Sequence, residues 1–269
     1  MVTDTAAALP PEVSGRLGIR TVPLGLTIDG HATSDADIDP DSFFAALGRG
    51  AQVTTSQPAP GHLAAAYEDA ARDGVERVWS IHLGSALSST VDAARLVASA
   101  ARISVEVADT GTASMAEGLC VLAAVAALQR DGDADVRQVV AAEAAAQANV
   151  FISLAPGNIA AGGRGAHAVD MFDILCLRAG GQIEKVARAG SREAAVEMMA
   201  SMLSSLAGGL VAIGDGGAPG LGEALFARCR ELAPGRRFLR YPVPPSIAVH
   251  TGPTVGYVVS QLDPEILHA

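Results

Sequence analysis

The chain has 269 residues, of which 49% are hydrophobic but only 4% aromatic; with 29 acidic and 19 basic side chains its formal charge is -10 at pH 7. At about 150 residues per domain, that length suits two modest domains or one large one with a substantial core. A field of this sign repels phosphodiester backbones and no basic patch interleaved with aromatics offsets it, so nucleic acid is excluded as a partner; Lys185, the only lysine, leaves little scope for Walker-type chemistry.

In chain order, Val22 to Ile28 reads as a strand ending at the turn dipeptide Asp29-Gly30. Helices are expected over Asp39 to Leu47, where acidic residues and Pro40 mark the start, and over Pro60 to Arg72, where Leu63, Ala66, Tyr67 and Ala70 fall at helical spacing. Val78 to Leu83 is the clearest strand, and the alternating Ile103, Val105 and Val107 make Arg102 to Ala108 another. Helical patterns come next at Thr90 to Ala101, Met115 to Arg130 and Asp135 to Asn149. Alternation of short β-branched runs with alanine-rich helical segments predicts an α/β domain with a parallel sheet over residues 1–149.

The second half, 150–269, reads as an α+β domain. Strands are expected at Val150 to Leu154, Ile174 to Arg178, Ile183 to Arg188, Leu210 to Gly214, Phe238 to Tyr241 and Thr254 to Gln261, with a hairpin around Gly180-Gly181. Helices are expected at Ser191 to Leu206 and Gly222 to Glu231, the first with Met198, Met199 and Met202 in its core. Cys120, Cys176 and Cys229 form neither a CxxC nor a metal-ligand spacing and read as buried apolar residues in a reducing cytoplasm. Met1 to Pro10 lacks the pattern of a signal peptide, and the alanine-rich run Gly118 to Leu128 is too short to span a bilayer. The expected location is the cytoplasm.

Four polar loops marked by glycine or proline are placed at strand ends, where ligands bind in open α/β sheets. They are Val2 to Thr5 with Leu9-Pro10, Thr54-Thr55-Ser56-Gln57-Pro58, Ser80 to Thr90, and Ala248 to Pro253. Capping a helix needs one side-chain oxygen, so Thr54, Thr55 and Ser56 in a row, and Ser85, Ser88, Ser89 and Thr90 before a helix, exceed what capping asks. A helix N-terminus with unpaired N–H groups and such hydroxyls suits one carboxylate or phosphate. A lone His250 would more often be structural than catalytic.

Taken in order, these segments resemble the DegV family across nearly the whole chain. Val2-Thr3-Asp4-Thr5 with Leu9-Pro10 resembles its VTDS…LP opening; Val22-Pro23-Leu24, Asp29-Gly30 and Asp37 to Asp41 resemble the family's next conserved stretch. Thr54 to Pro58 resembles the TSQPS-type loop, Ser85 to Thr90 the S-x-LS-G-T loop, Val107 to Thr110 the V-x-D-S/T strand end, and His250 to Pro253 the HTGP signature. Ala8, Ala59 and Ser89 depart from the family pattern.

The resemblance implies a Rossmann-like N-terminal domain joined to an α+β domain, and a carrier that holds a long-chain fatty acid for phosphorylation by a separate kinase subunit. It implies that Thr55 and Ser88, with neighbouring Ser56 and Ser89, hold the carboxylate, that His250 stands where phosphoryl transfer occurs, and that Arg164 and Arg188 contact the kinase or its ATP phosphates. No Walker motif, kinase Gly-rich loop or magnesium pair is evident, so no resident cofactor or metal is expected, and the ATP machinery belongs to the partner. Two rival readings stay open: a serine hydrolase using Ser88 or Ser85 with His82 or His250 and Asp4 or Asp109, although no GxSxG elbow occurs there, and a binding module for a small polar metabolite like that of dihydroxyacetone kinases.

Overall fold

A computed structural model of the chain describes residues 1–154 and 171–267. The first part is built on a parallel sheet in the order β2-β1-β6-β7, with β1 (Val2–Asp4), β2 (Arg20–Val22), β6 (Arg77–His82) and β7 (Ser104–Asp109). Helices cover both faces of such a sheet, so β6 is buried from Val78 to His82 rather than alternating. The helices are α1 (Pro11–Arg16), α3 (Pro60–Arg72), α4 (Thr90–Ala98), α5 (Met115–Arg130) and α6 (Val136–Ala146). Beside it, β3 (Gly25–Ile28), β4 (His31–Ser34) and β5 (Val53–Ser56) form a small antiparallel sheet, with α2 (Pro40–Gly48) between β4 and β5 in the chain.

The second part is a six-stranded mixed sheet. Its order is β10-β9-β8-β13-β11-β12, from β8 (Ala148–Ser153), β9 (Phe172–Leu177), β10 (Ile183–Ala189), β11 (Leu210–Gly216), β12 (Arg237–Pro242) and β13 (Thr254–Ser260). Helices α7 (Arg192–Ser204) and α8 (Pro219–Leu232) cover one face: Met199, Leu203, Leu225 and Cys229 pack with Val150, Ile152, Val211, Ile213 and Val255. Because side chains alternate along a strand, Leu210, Ala212, Tyr241 and Val258 point the other way, onto α5. Helix α5 is therefore sandwiched between two sheets, touching Ile81 and Ala108 on one side and Leu210 and Val258 on the other, which is why it is apolar all round. The fold is the mixed α/β class expected.

Several boundaries moved. The expected single strand Val22 to Ile28 is two: Pro23, with no N–H for a ladder, ends β2, and β3 leaves for the antiparallel sheet. The alanine-rich helix expected to run to Asn149 stops at Ala146; Gln147 turns extended (ψ 148°), and Ala148 and Asn149 pair in β8. Thr54 to Ser56 lie in β5 rather than in a loop, and His250 lies in a short helix, α9 (Pro245–Thr251), opened by Pro245 and ended by Gly252 at φ 66°.

The tip between β9 and β10 closes against the first part. Gly180 N–H donates to the Gly111 carbonyl at 2.9 Å, and a Cβ on Gly111 would stand 2.9 Å from Gly180 N, so only glycine permits this approach.

Candidate functional site

Between the parallel sheet and the six-stranded sheet lies a cavity of about 540 Å³, within the usual range for small-molecule sites of roughly 300–1,000 Å³. Three elements bring hydroxyls and an imidazole to its rim: Thr55 and Ser56 from β5, Ser88 and Ser89 from the turn before α4, and His250 from α9. Behind them the lining is mostly apolar, including Leu24, Leu83, Ala113, Phe151, Leu177 and Ile247.

Thr55 Oγ1 and His250 Nε2 share a hydrogen bond of 3.0 Å. Thr55 is free to do so because α3 is preceded by Ala59, with no side-chain cap; none of Thr54, Thr55 or Ser56 is spent on that helix. Ser88 does take a capping role: its Oγ accepts from Thr90 N–H at 3.3 Å and lies 2.9 Å from Thr90 Oγ1, while Ser89 makes no cap bond. Crowding in the cleft lowers the His250 pKa by desolvation, so the ring is neutral near pH 7 even though one edge stays open to solvent.

Under the rim, Asp35 accepts from Thr5 Oγ1 at 2.6 Å and from Leu24 N–H at 3.1 Å, with the Ser246 hydroxyl of α9 beside it. Burial raises the Asp35 pKa, and Ser246 faces the cavity. Asp35 thus ties the β4–α2 connection to the turn that follows β1 and to the backbone between β2 and β3.

A second polar network lies deeper. Asp4 Oδ2 is 2.8 Å from His82 Nδ1, His82 Nε2 is 2.7 Å from Ser80 Oγ, and Ser80 Oγ is 2.8 Å from Tyr67 OH; Asp4, His82 and Ser80 have no solvent exposure. Beside it, Glu117 accepts from Thr3 Oγ1 at 3.2 Å, and burial, then the nearby Asp4 charge, push its pKa well above the usual carboxylate range. The Ser80–His82–Asp4 order mimics a catalytic triad, but none of the three lines the cavity described above. The hydrolase groups weighed from sequence are dispersed: His250 pairs with Thr55, His82 with Ser80, Ser85 with Asp109 and Ser88 with Thr90.

The DegV family model, described as one of uncharacterised proteins, matches residues 1–262. The chain belongs to the DegV family. A DegV domain-containing protein of Streptomyces coelicolor is 33% identical over 97% of each chain, and one of Mycobacterium tuberculosis is 34% identical over 58% of this chain and 54% of its own. A DegV-family structure from Thermus thermophilus, described by its fatty-acid binding, superposes with a TM-score of 0.79 at 27% identity, covering 97% of this chain and 98% of the other. DegV of Bacillus subtilis, described as a fatty acid binding protein, shares the fold with a TM-score of 0.83 at 21% identity over 96% and 97% of the two chains.

In this DegV-family chain, then, Thr55, Ser56, Ser88, Ser89 and His250 are brought together at one rim. Arg188 is not among them: it sits on β10, outside the cavity lining, in a two-point ion pair with Asp173. Arg164 lies outside the described residues. Asp35, Ser246 and Tyr241 carry no local pattern that marks them in the sequence; the one signal is scarcity, since Tyr241 is one of only three tyrosines in an aromatic-poor chain. Among the described residues no cluster of three His, Cys, Asp or Glu side chains could hold a metal ion, and no helix is long and apolar enough to cross a membrane.

Proposed function

We propose that the chain is a fatty-acid carrier that binds a long-chain acid with its tail in the cavity and its carboxylate at the Thr55, Ser88 and His250 rim. The carrying observation is the Thr55–His250 hydrogen bond at the edge of a largely apolar cavity that Ser88 also lines. The fatty-acid binding of the Thermus thermophilus relative supports the same reading, and the apolar lining favours an acyl tail over a small polar metabolite. In this reading the chain divides near residue 149 and works in the cytoplasm, where the free, buried Cys120, Cys176 and Cys229 stay reduced.

Burial is worth about 0.8 kcal/mol per methylene, so roughly fourteen methylenes offer on the order of 10 kcal/mol before ordering costs. The tail supplies affinity; Thr55, Ser88, Ser56 and Ser89 fix which carboxylate oxygen faces outward. A separate kinase subunit brings ATP and metal to the rim, and the outward oxygen attacks the γ-phosphorus, releasing ADP and leaving an acyl phosphate. His250 orients that oxygen and stabilises the developing charge. Arg188 and Arg164 serve as contacts for the kinase or its phosphates, Arg188 exchanging Asp173 for them.

The test is reconstitution with a bacterial fatty-acid kinase subunit, ATP and magnesium. His250→Ala should retain fatty-acid binding and lose acyl-phosphate formation; loss of both in equal measure would contradict the role assigned to His250.

A further inference from the structure

The floor of the cavity is the α5-facing side of the six-stranded sheet, and one rung of that sheet sets two glycines between two aromatic residues. In register across four strands stand Tyr241, Gly214, Gly256 and Phe151. Glycine inside a strand weakens it and marks a place where another group comes close to the backbone. A Cβ on Gly214 would lie 2.5 Å from Tyr241 Cζ and 2.6 Å from its hydroxyl oxygen, so the Tyr241 ring lies across Gly214. A Cβ on Gly256 would lie 2.6 Å from Phe151 Cβ, so Phe151 crowds Gly256 from the other side.

The Tyr241 side chain is fixed at both ends. Its backbone belongs to β12, and its hydroxyl oxygen accepts from Ser114 Oγ at 3.4 Å and from the Met115 N–H. Met115 opens α5, and the first N–H groups of a helix have no acceptor within it, so Tyr241 meets a need that the helix itself leaves. Swinging the buried ring aside would give up both bonds.

Tyr241, Gly256 and Phe151 line the cavity, and the lining continues on either side of their rung, with Val243 and Thr254 before it and Asn149 and Leu177 after it. A tail that fills the cavity from the Thr55–His250 rim therefore passes over Gly256, between Tyr241 and Phe151. Neighbouring strands lie about 4.8 Å apart, so the Gly214 column, over which the ring lies, and the Phe151 column are roughly 9–10 Å apart. A contact of roughly 3.5–4.0 Å with each wall leaves a passage for one file of carbon atoms.

We propose that Tyr241 determines which acids the chain carries: with Phe151 it confines the tail to a single file over Gly256, and so selects unbranched acids over acids with a methyl branch where the tail crosses this rung. The inference rests on the fatty-acid reading above and narrows its ligand class. A branch at that point meets a pinned ring on one side and Phe151 on the other. Packed walls do not yield freely to an added methyl group; a side chain or the backbone has to shift to admit it.

The experiment is a competition measured by gentle-ionisation mass spectrometry, using hexadecanoic acid against hexadecanoic acids that carry one methyl group at successive carbons along the chain. Wild type should take the plain acid about tenfold or more in preference to at least one of the branched acids. Tyr241→Leu, which withdraws the ring from Gly214, and Phe151→Ala, which opens the opposite wall, should each lose most of that preference while still binding the plain acid. The readout is a ratio within one protein, so a variant that is merely less stable loses both acids alike and keeps the ratio. Equal or better binding of every branched acid by wild type, or a preference that survives both substitutions, overturns the inference and leaves the fatty-acid reading standing; binding none of these acids overturns both. If Tyr241→Leu does not fold, as judged by its melting transition, Phe151→Ala carries the comparison.

Discussion

Thr55 and His250 are 195 residues apart in the chain, yet Thr55 Oγ1 and His250 Nε2 stand 3.0 Å from one another at the cavity rim. The contact joins β5 of the first part to α9 of the second. Replacing Thr55 with valine keeps the β-branched shape that β5 prefers and removes the hydroxyl alone. Since a hydrogen bond to a charged group is worth about 1.5–3 kcal/mol, Thr55→Val should weaken fatty-acid binding by roughly ten- to a hundredfold with little change in melting temperature. Titration calorimetry checks this, and unchanged affinity would remove Thr55 from the headgroup site.

The lowered pKa of His250 gives a pH signature. An incoming carboxylate favours the imidazolium, so binding should raise the His250 pKa and take up a proton. Affinity should therefore strengthen as pH falls through the window between the free and bound values, which begins below the ordinary histidine value of 6.5. An imidazole NMR titration with and without ligand reads this directly, and a downward shift on binding would count against the assigned geometry.

Glu117 makes a stability prediction of opposite sign to the usual carboxylate. Its folded pKa is raised well above 4.5, so its contribution is fully present below 4.5 and is lost as pH rises through the folded value. Glu117→Gln keeps an oxygen for Thr3 and removes the ionisation. Urea unfolding at acidic and alkaline pH should show a flatter pH dependence in the variant, with the variant gaining relative to wild type toward high pH.

Gly214→Ala should destabilise the second part by about 1–3 kcal/mol, because the new methyl enters the space of the Tyr241 ring inside a packed interface. Thermal unfolding measures it, and restoration in the Gly214→Ala, Tyr241→Leu double variant would identify the ring as the cause.

Much of this architecture was legible because local and global preferences agree. Met115 to Arg130 reads as a helix and is one to the residue, and the glycine pair at 180–181 forms the expected hairpin tip. The rim hydroxyls could be suspected because they outnumber what capping uses. What the sequence hid were decisions made by distant pairing: β5 is a strand because β3 lies beside it, and Asn149 leaves its alanine-rich helix because β9 and β13 claim it. The Asp4–His82–Ser80–Tyr67 chain joins residues from β1, β6 and α3, a relation that no local spacing encodes.

The central claim is that the cavity holds a fatty acid with its carboxylate at the Thr55–His250 rim. Mass spectrometry of the purified protein under gentle ionisation tests it most directly. The account expects a discrete mass increment matching a long-chain fatty acid, retained by wild type and markedly diminished in a Thr55→Val, Ser88→Ala double variant. A protein that carries no such increment and gains none after incubation with fatty acids would contradict it.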